Sequence, residues 1–307
     1  RSKIFKDEKF PAGNEIIASS EDTHYPHSSQ EVSDDVLKNT LFKRPSEIFG
    51  ENLYLFNDIN DDDLSYRTFV TQILNAINND NPANINRLIR SKEINPQGFY
   101  EIYFYDIDRK KKIMYIDDFF PVEKTKIKSD KYYYSECNSN EIWLQILEKA
   151  FAKYEGGYNN IMDGNIINEL YFFTGAISFR YEINDPNSWD YLKTGGNPST
   201  ITLATMKKDQ TNEINGIGLF DNIFSILNVG EYYDAENNNN IKLIKLRNLN
   251  VYSTNNIYSY SRKSKKWTPE LKKFFNTEIA FKDEAVFFMT FEEFQQNFDS
   301  FISSYIN

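Results

Sequence analysis

One cysteine and two histidines in 307 residues leave this chain short of the side chains on which most thiol and metal chemistry depends. The lone cysteine, Cys137, excludes an intrachain disulfide and any zinc site built on cysteines. The histidines are His24 and His27, and no imidazole follows them. No run of about 18 apolar residues occurs, so no segment reads as a membrane-spanning helix. No signal peptide is visible at Arg1, and the chain reads as an excised piece of a longer protein. No Asn-x-Ser/Thr acceptor occurs despite abundant asparagine. These absences suit a reducing, cytoplasmic setting. The formal net charge is −10 with the acids scattered, which argues against nucleic acid or an anionic membrane surface as partner. No Gly-rich phosphate loop, paired-carboxylate motif or metal-ligand spacing stands out.

What is abundant is aromatic: 25 Phe and 21 Tyr within a 40% apolar composition, enough for a large core and about two domains. Residues 12–36 are polar and read as an irregular wrapping segment. Residues 68–78 carry a helix face at Phe69, Val70, Ile73, Leu74 and Ile77, and a short second helix is predicted over 83–90. Residues 99–107 and 112–117, rich in Tyr, Ile and Phe and separated by Asp108 to Lys111, predict a hairpin. Between 142 and 154, Ile142, Trp143, Ile146, Leu147, Ala150, Phe151 and Tyr154 make one wide apolar stripe. Glu141, Gln145, Glu148, Lys149 and Lys153 lie mostly off it. Gly156-Gly157 ends that helix, and another is predicted near 163–173. Past Thr174-Gly175 the character changes. Residues 200–205, 223–229, 241–247 and 285–290 read as antiparallel strands, and 291–303 as a closing amphipathic segment.

The stretch NEIWLQILEKAFAKYEGGYNNIMDGNIINELYFFTG at 140–175 resembles the signature NEFW-x-x-LLEKAYAKL-x-GSY…GG…-FTGG of the calpain-type cysteine protease core. Seven further segments resemble the same family in the same order. They are FKDEKFPA at 5–12, FKRPSEI at 42–48, DINDDDLSYRTFVTQIL at 58–74, GFYEIYFYDIDRKKKIMYIDDFFPV at 98–122, GLFDNIFSILNVGEY at 218–232 and IKLIKLRNLN at 241–250. DEAVFFMTFEEFQQNF at 283–298 closes the series. The resemblance implies an α+β, papain-like, two-lobed core. Its parts are an N-terminal wrapping segment 1–36, a helical lobe 37–176 and an antiparallel β lobe 177–307, with a cleft between lobes. The family hinge FTGG is here Phe173-Thr174-Gly175-Ala176, and loss of the second glycine implies a stiffer link.

The resemblance also says where catalytic groups belong. A papain-type reaction needs a thiolate, a base and a group that orients the base, with the thiol at a helix N-terminus. The thiol position overlays on Arg67, and neighbouring Tyr66, Thr68 and Phe69 supply no cysteine. The oxyanion-donating glutamine becomes Asp61, a carboxylate that would repel a developing oxyanion. The base position overlays on Asn222, which cannot take a proton near neutral pH. Asn248 retains the orienting asparagine. The family's first calcium site matches Asp58 and Glu141; in the second, Arg262 and Val286 replace acids and only Glu284 keeps a carboxylate.

From this degeneracy follows the expectation of a calpain-like domain that is not an enzyme. It would bind a protein or extended peptide in the former substrate cleft, or act as a scaffold within a larger parent chain. It would need no cofactor, with calcium conceivable only at Asp58 and Glu141, and would not insert into membranes. The alternative is an active cysteine-type peptidase with Cys137 as a remodelled nucleophile. A reading of Cys137 as an ordinary free thiol stands beside it.

Overall fold

A computed structural model describes residues 3–19, 24, 31–50, 53–55, 64–65, 69–80, 82–124, 131–137, 140–162, 164–195, 200–207, 223–235, 237–247, 258–282 and 285–306. These fall into two compact units, 1–175 and 176–307. Helices and antiparallel sheets are both present in quantity, so the chain is α+β as its sequence predicts. Among the described residues no helix is long and apolar enough to cross a membrane.

The first unit contains, in order, α1 (Asp34–Asn39), β1 (Thr40–Lys43), α2 (Pro45–Phe49), β2 (Leu64–Ser65), α3 (Phe69–Asp80), α4 (Pro82–Asn86), β3 (Phe99–Tyr105), β4 (Lys111–Asp117), β5 (Phe120–Glu123), β6 (Lys131–Tyr132), β7 (Glu136–Cys137), α5 (Trp143–Tyr154) and α6 (Ile166–Thr174). The predicted helix over 83–90 is a correction: α4 ends at Asn86. After a turn, Ile89 instead bridges antiparallel to Ile102 of β3, with the Tyr103 amide donating to the Leu88 carbonyl at 2.7 Å and the Arg90 amide to the Glu101 carbonyl at 2.9 Å. Two extra ladder bonds and a buried Ile89 outweigh a further helical turn. The hairpin β3–β4 forms as predicted, pairing Phe99 with Asp117 through Tyr105 with Lys111.

Helix α5 sits at the centre of this unit, buried on its polar side as well as its apolar one. Gln145, Glu148 and Lys149 are each no more than 2% exposed. For Glu148 and Lys149 such burial is tolerable because partners arrive from elsewhere. Glu148 accepts from the amide and hydroxyl of Ser135, and the Lys149 ammonium meets Asp117 at 2.5 Å and the Phe119 carbonyl at 2.7 Å. Helix α6 ends on Gly175 at φ 67°, where an added Cβ would lie 2.6 Å from the Tyr105 ring, so glycine serves both the left-handed cap and the close approach.

The second unit contains β8 (Ile177–Glu182), α7 (Ser188–Gly195), β9 (Thr200–Met206), β10 (Ile223–Asp234), β11 (Asn239–Arg247), α8 (Pro269–Phe274), α9 (Thr277–Ala280), β12 (Val286–Thr290), α10 (Phe291–Asn297) and β13 (Phe298–Tyr305). Its six strands form one antiparallel sheet in the order β12-β11-β10-β9-β13-β8. Both faces are covered at β11 and β12. Phe287 and Met289 join Leu246, Phe294 and Phe298 on one side, while Val286 and Phe288 join Leu243, Trp267 and Phe275 on the other. The closing segment 291–303 is a second correction. Thr290 and Glu293 form a capping box that starts α10, and the chain then straightens into β13, inserted between β9 and β8. Its serines tolerate full burial because their hydroxyls pair across the sheet, Ser300 with Thr205 at 3.0 Å and Ser304 with Ser178 at 2.6 Å.

Deeply placed tyrosines give the fold an alkaline limit. Burial pushes Tyr100 and Tyr258 up to about 12, and raises Tyr134 and Tyr158 as well, with the Glu148 charge adding to the effect. An unfolded tyrosine titrates near 10, so above that pH the unfolded chain loses protons that the folded chain keeps. Stability is therefore fully present below about pH 10 and falls above it, by roughly 1.4 kcal/mol per pH unit for each such tyrosine. Tyrosinate absorbance from these four residues is expected to rise together with loss of far-UV ellipticity. A rise well ahead of unfolding would show that they are accessible.

Candidate active site

Helix α3 is the element at whose N-terminus the sequence places the degenerate nucleophile position. It is a twelve-residue amphipathic helix with Val70, Ile73, Leu74 and Ile77 buried. Immediately upstream, β2 pairs antiparallel with β7, setting Leu64 opposite Cys137 and Ser65 opposite Glu136. The backbone of the only cysteine therefore lies beside the strand that leads into α3, three positions before Arg67 in the sequence of its partner strand. Spacing along the chain gives no hint of this, because two-residue strands carry no periodic signal.

The residues predicted to carry or replace catalysis divide sharply. Asp58, Asp61, Arg67, Asn222 and Asn248 lie outside the described residues, as do Tyr66, Thr68, His27 and Glu284. His24 is described, and its ring stacks on Tyr154 with centroids 4.2 Å apart. The Tyr154 hydroxyl in turn donates to Asp106 at 2.8 Å. Glu141 is buried and accepts from the Trp143 indole at 3.2 Å, with Tyr54 bridged alongside it. Arg262 lies over the Phe281 ring, and Val286 is buried in the apolar core of the second unit. Among the described residues no group of three or more His, Cys, Asp or Glu side chains is placed to hold a metal ion.

What the first unit does build is a buried charge cluster that sequence reasoning missed. Four resembling segments meet in it. Asp117 accepts from the Asp7 amide at 2.8 Å and from the Phe119 amide at 3.1 Å as well as from Lys149. Lys153 reaches Asp7 at 2.6 Å and the Tyr115 carbonyl at 2.8 Å. Arg44 grips Asp118 through both carboxylate oxygens, at 2.7 and 2.9 Å, a fork that holds the guanidinium protonated beyond its ordinary range. Burial lowers the pKa of the Lys149 ammonium, and the adjacent Asp117 charge opposes that shift. The signal available in the sequence was the charge pattern itself: Asp7, the Asp117-Asp118 pair and Lys149/Lys153 each sit inside an aromatic stretch. Ser19 and Asn159 exchange two further bonds, amide to Oδ1 at 2.9 Å and Nδ2 to carbonyl at 3.0 Å, which tie the N-terminal segment to the same unit.

A first unit of helices and short strands with a buried helix, followed by a unit built on one antiparallel sheet, is consistent with the α+β core of a calpain-type cysteine protease. The calpain family cysteine protease domain matches residues 5–303, and the chain belongs to that family. It is 26% identical over 230 residues to the calpain-type cysteine protease ADL1 of Oryza sativa subsp. japonica, covering 71% of this chain and 10% of that protein. Against calpain-9 of Homo sapiens it is 22% identical over 317 residues, 97% of this chain and 42% of that protein. Calpain-A of Drosophila melanogaster is 25% identical over 219 residues, 68% of this chain and 26% of that one. The chain thus spans less than half the length of these relatives. Family membership corrects the expectation that the chain is not an enzyme: the family is one of cysteine proteases, and a relative matched over 71% of the chain carries that name.

Proposed function

We propose that this calpain-family domain takes an extended polypeptide as its ligand, and that its cysteine-type hydrolysis runs through Cys137. The first half of the reading is supported by the family match over 5–303, since the relatives are named proteases and a protease's ligand is a polypeptide. The second half follows by elimination: a cysteine peptidase needs a thiol, and the chain has one. The observation that carries it is the register of β2 with β7, which sets Cys137 against Leu64 on the approach to α3. Helix N-termini favour thiolates by their dipole.

The test uses the intact chain with a fluorogenic peptide library, with and without added calcium, alongside Cys137→Ser. Turnover that disappears in Cys137→Ser, together with rapid alkylation of wild type at neutral pH, is the expected result. Turnover that survives the substitution overturns the role of Cys137. Peptide binding without turnover in wild type removes the hydrolytic half and leaves the recognition half. Failure to bind any peptide removes both.

A further inference from the structure

We propose that the free edge of the second unit's sheet is a self-association surface, in which β8 pairs antiparallel with β8 of a second copy of this chain. Strand β8 ends the sheet and, among the described residues, pairs with β13 alone. Its sequence, ISFRYE, contains none of the lysines or prolines with which sheet edges are commonly blunted. Two of its apolar side chains stand in solvent, Ile177 at 68% exposed and Phe179 at 50%.

The two faces of the strand differ. Ile177, Phe179 and Tyr181 share one face with Tyr305 and Phe301, and the Phe179 and Tyr305 rings meet edge to face at 6.0 Å. Ser178, Arg180 and Glu182 share the other, where Arg180 donates to the Ser300 hydroxyl at 2.8 Å. A two-fold axis perpendicular to the sheet keeps like faces together, so directly opposed residues must be of equal parity. Centring the axis on Phe179 sets Phe179 against Phe179 and Ile177 against Tyr181 on one face, and Ser178 against Arg180 on the other. Both exposed apolar side chains are then covered by aromatic partners, a favourable kind of cross-strand pair. Centring it one residue later sets Arg180 against Arg180, a like-charge pair that disfavours that register. For a second copy of the chain, the strand's own composition thus selects one alignment. Two six-residue strands pair over only about 20 Å, so the association is weak and concentration-dependent.

Sedimentation velocity over roughly 5 to 500 µM tests this. Wild type is expected to shift from monomer towards dimer across that range. Phe179→Glu and Phe179→Lys, each setting like charges face to face, are expected to weaken dimerisation about tenfold or more and, when mixed, to form a heterodimer. Ile177→Glu, at an even more exposed position facing Tyr181 of the second copy, is a second variant if either of those misfolds. A wild type that stays monomeric throughout overturns the proposal. So does a dimer indifferent to all three substitutions. A chain that stays monomeric yet captures a foreign extended peptide on β8 assigns the edge to another partner and overturns it too.

Discussion

Asp117→Ala is expected to destabilise the first unit by about 3–5 kcal/mol, the usual cost of stranding one member of a buried ion pair. The Lys149 side chain is 0% exposed and its carboxylate partner 2% exposed. Deleting the carboxylate leaves an ammonium with a single neutral acceptor, the Phe119 carbonyl. It also strips the Asp7 amide of its acceptor, so the N-terminal segment loses a bond on the same side where Lys153 holds Asp7. For a unit of this size the midpoint of thermal unfolding should fall by roughly 10 °C. Lys149→Met should cost less, because the methionine fills similar volume and Asp117 keeps two backbone N–H donors. Lys110→Ala is the control: that ammonium is 76% exposed and its loss should be near neutral. Urea unfolding of the three variants checks the order. Equal losses for Asp117→Ala and Lys110→Ala would show that the buried pair contributes nothing particular.

How much of this was legible in the sequence depends on where each residue's partner lies. Helix α5 was readable because its apolar stripe repeats within twelve residues, and the β3–β4 hairpin because both strands and their turn are contiguous. The burial of Lys149 was not readable, since its partner stands 32 positions earlier, and the Asp7 amide that shares this partner lies 110 positions from it. Strand β13 was obscured by serines that look solvent-facing until Thr205, Thr202 and Ser178 are placed opposite them. Strand β8 was passed over because it is short and mixes apolar with charged residues, which suits a sheet edge more than a core strand. At the candidate site the sequence alone supplied the identities at the degenerate positions, through resemblance to a family. The pairing of Cys137 with Leu64 came only from backbone geometry, because nothing local encodes contact between segments more than seventy residues apart.

The two faces of the second unit's sheet allow an equally large effect to be assigned to one side or the other. Phe287 and Phe288 are adjacent in β12, both essentially inaccessible, yet they point into different cores. Truncating either to alanine should cost about 3–5 kcal/mol in lost burial and unfilled volume. The consequences should differ in place. Phe288 packs edge to face against Trp267, Phe275 and Phe281, at 5.3, 5.9 and 5.6 Å between centroids. These three rings anchor the segment 258–282 onto the sheet, and Trp267 donates its indole N–H to the Ser261 carbonyl at 2.9 Å within that segment. Phe288→Ala should therefore loosen α8 and α9 first, seen as faster proteolysis within residues 258–282 and a red-shifted Trp267 emission. Phe287 instead meets Phe224 and Tyr258, at 6.1 and 5.3 Å. Phe287→Ala should lower global stability by a similar amount while leaving Trp267 emission near its wild-type position. Indistinguishable proteolysis patterns for the two variants would mean that the sheet's faces respond as one core.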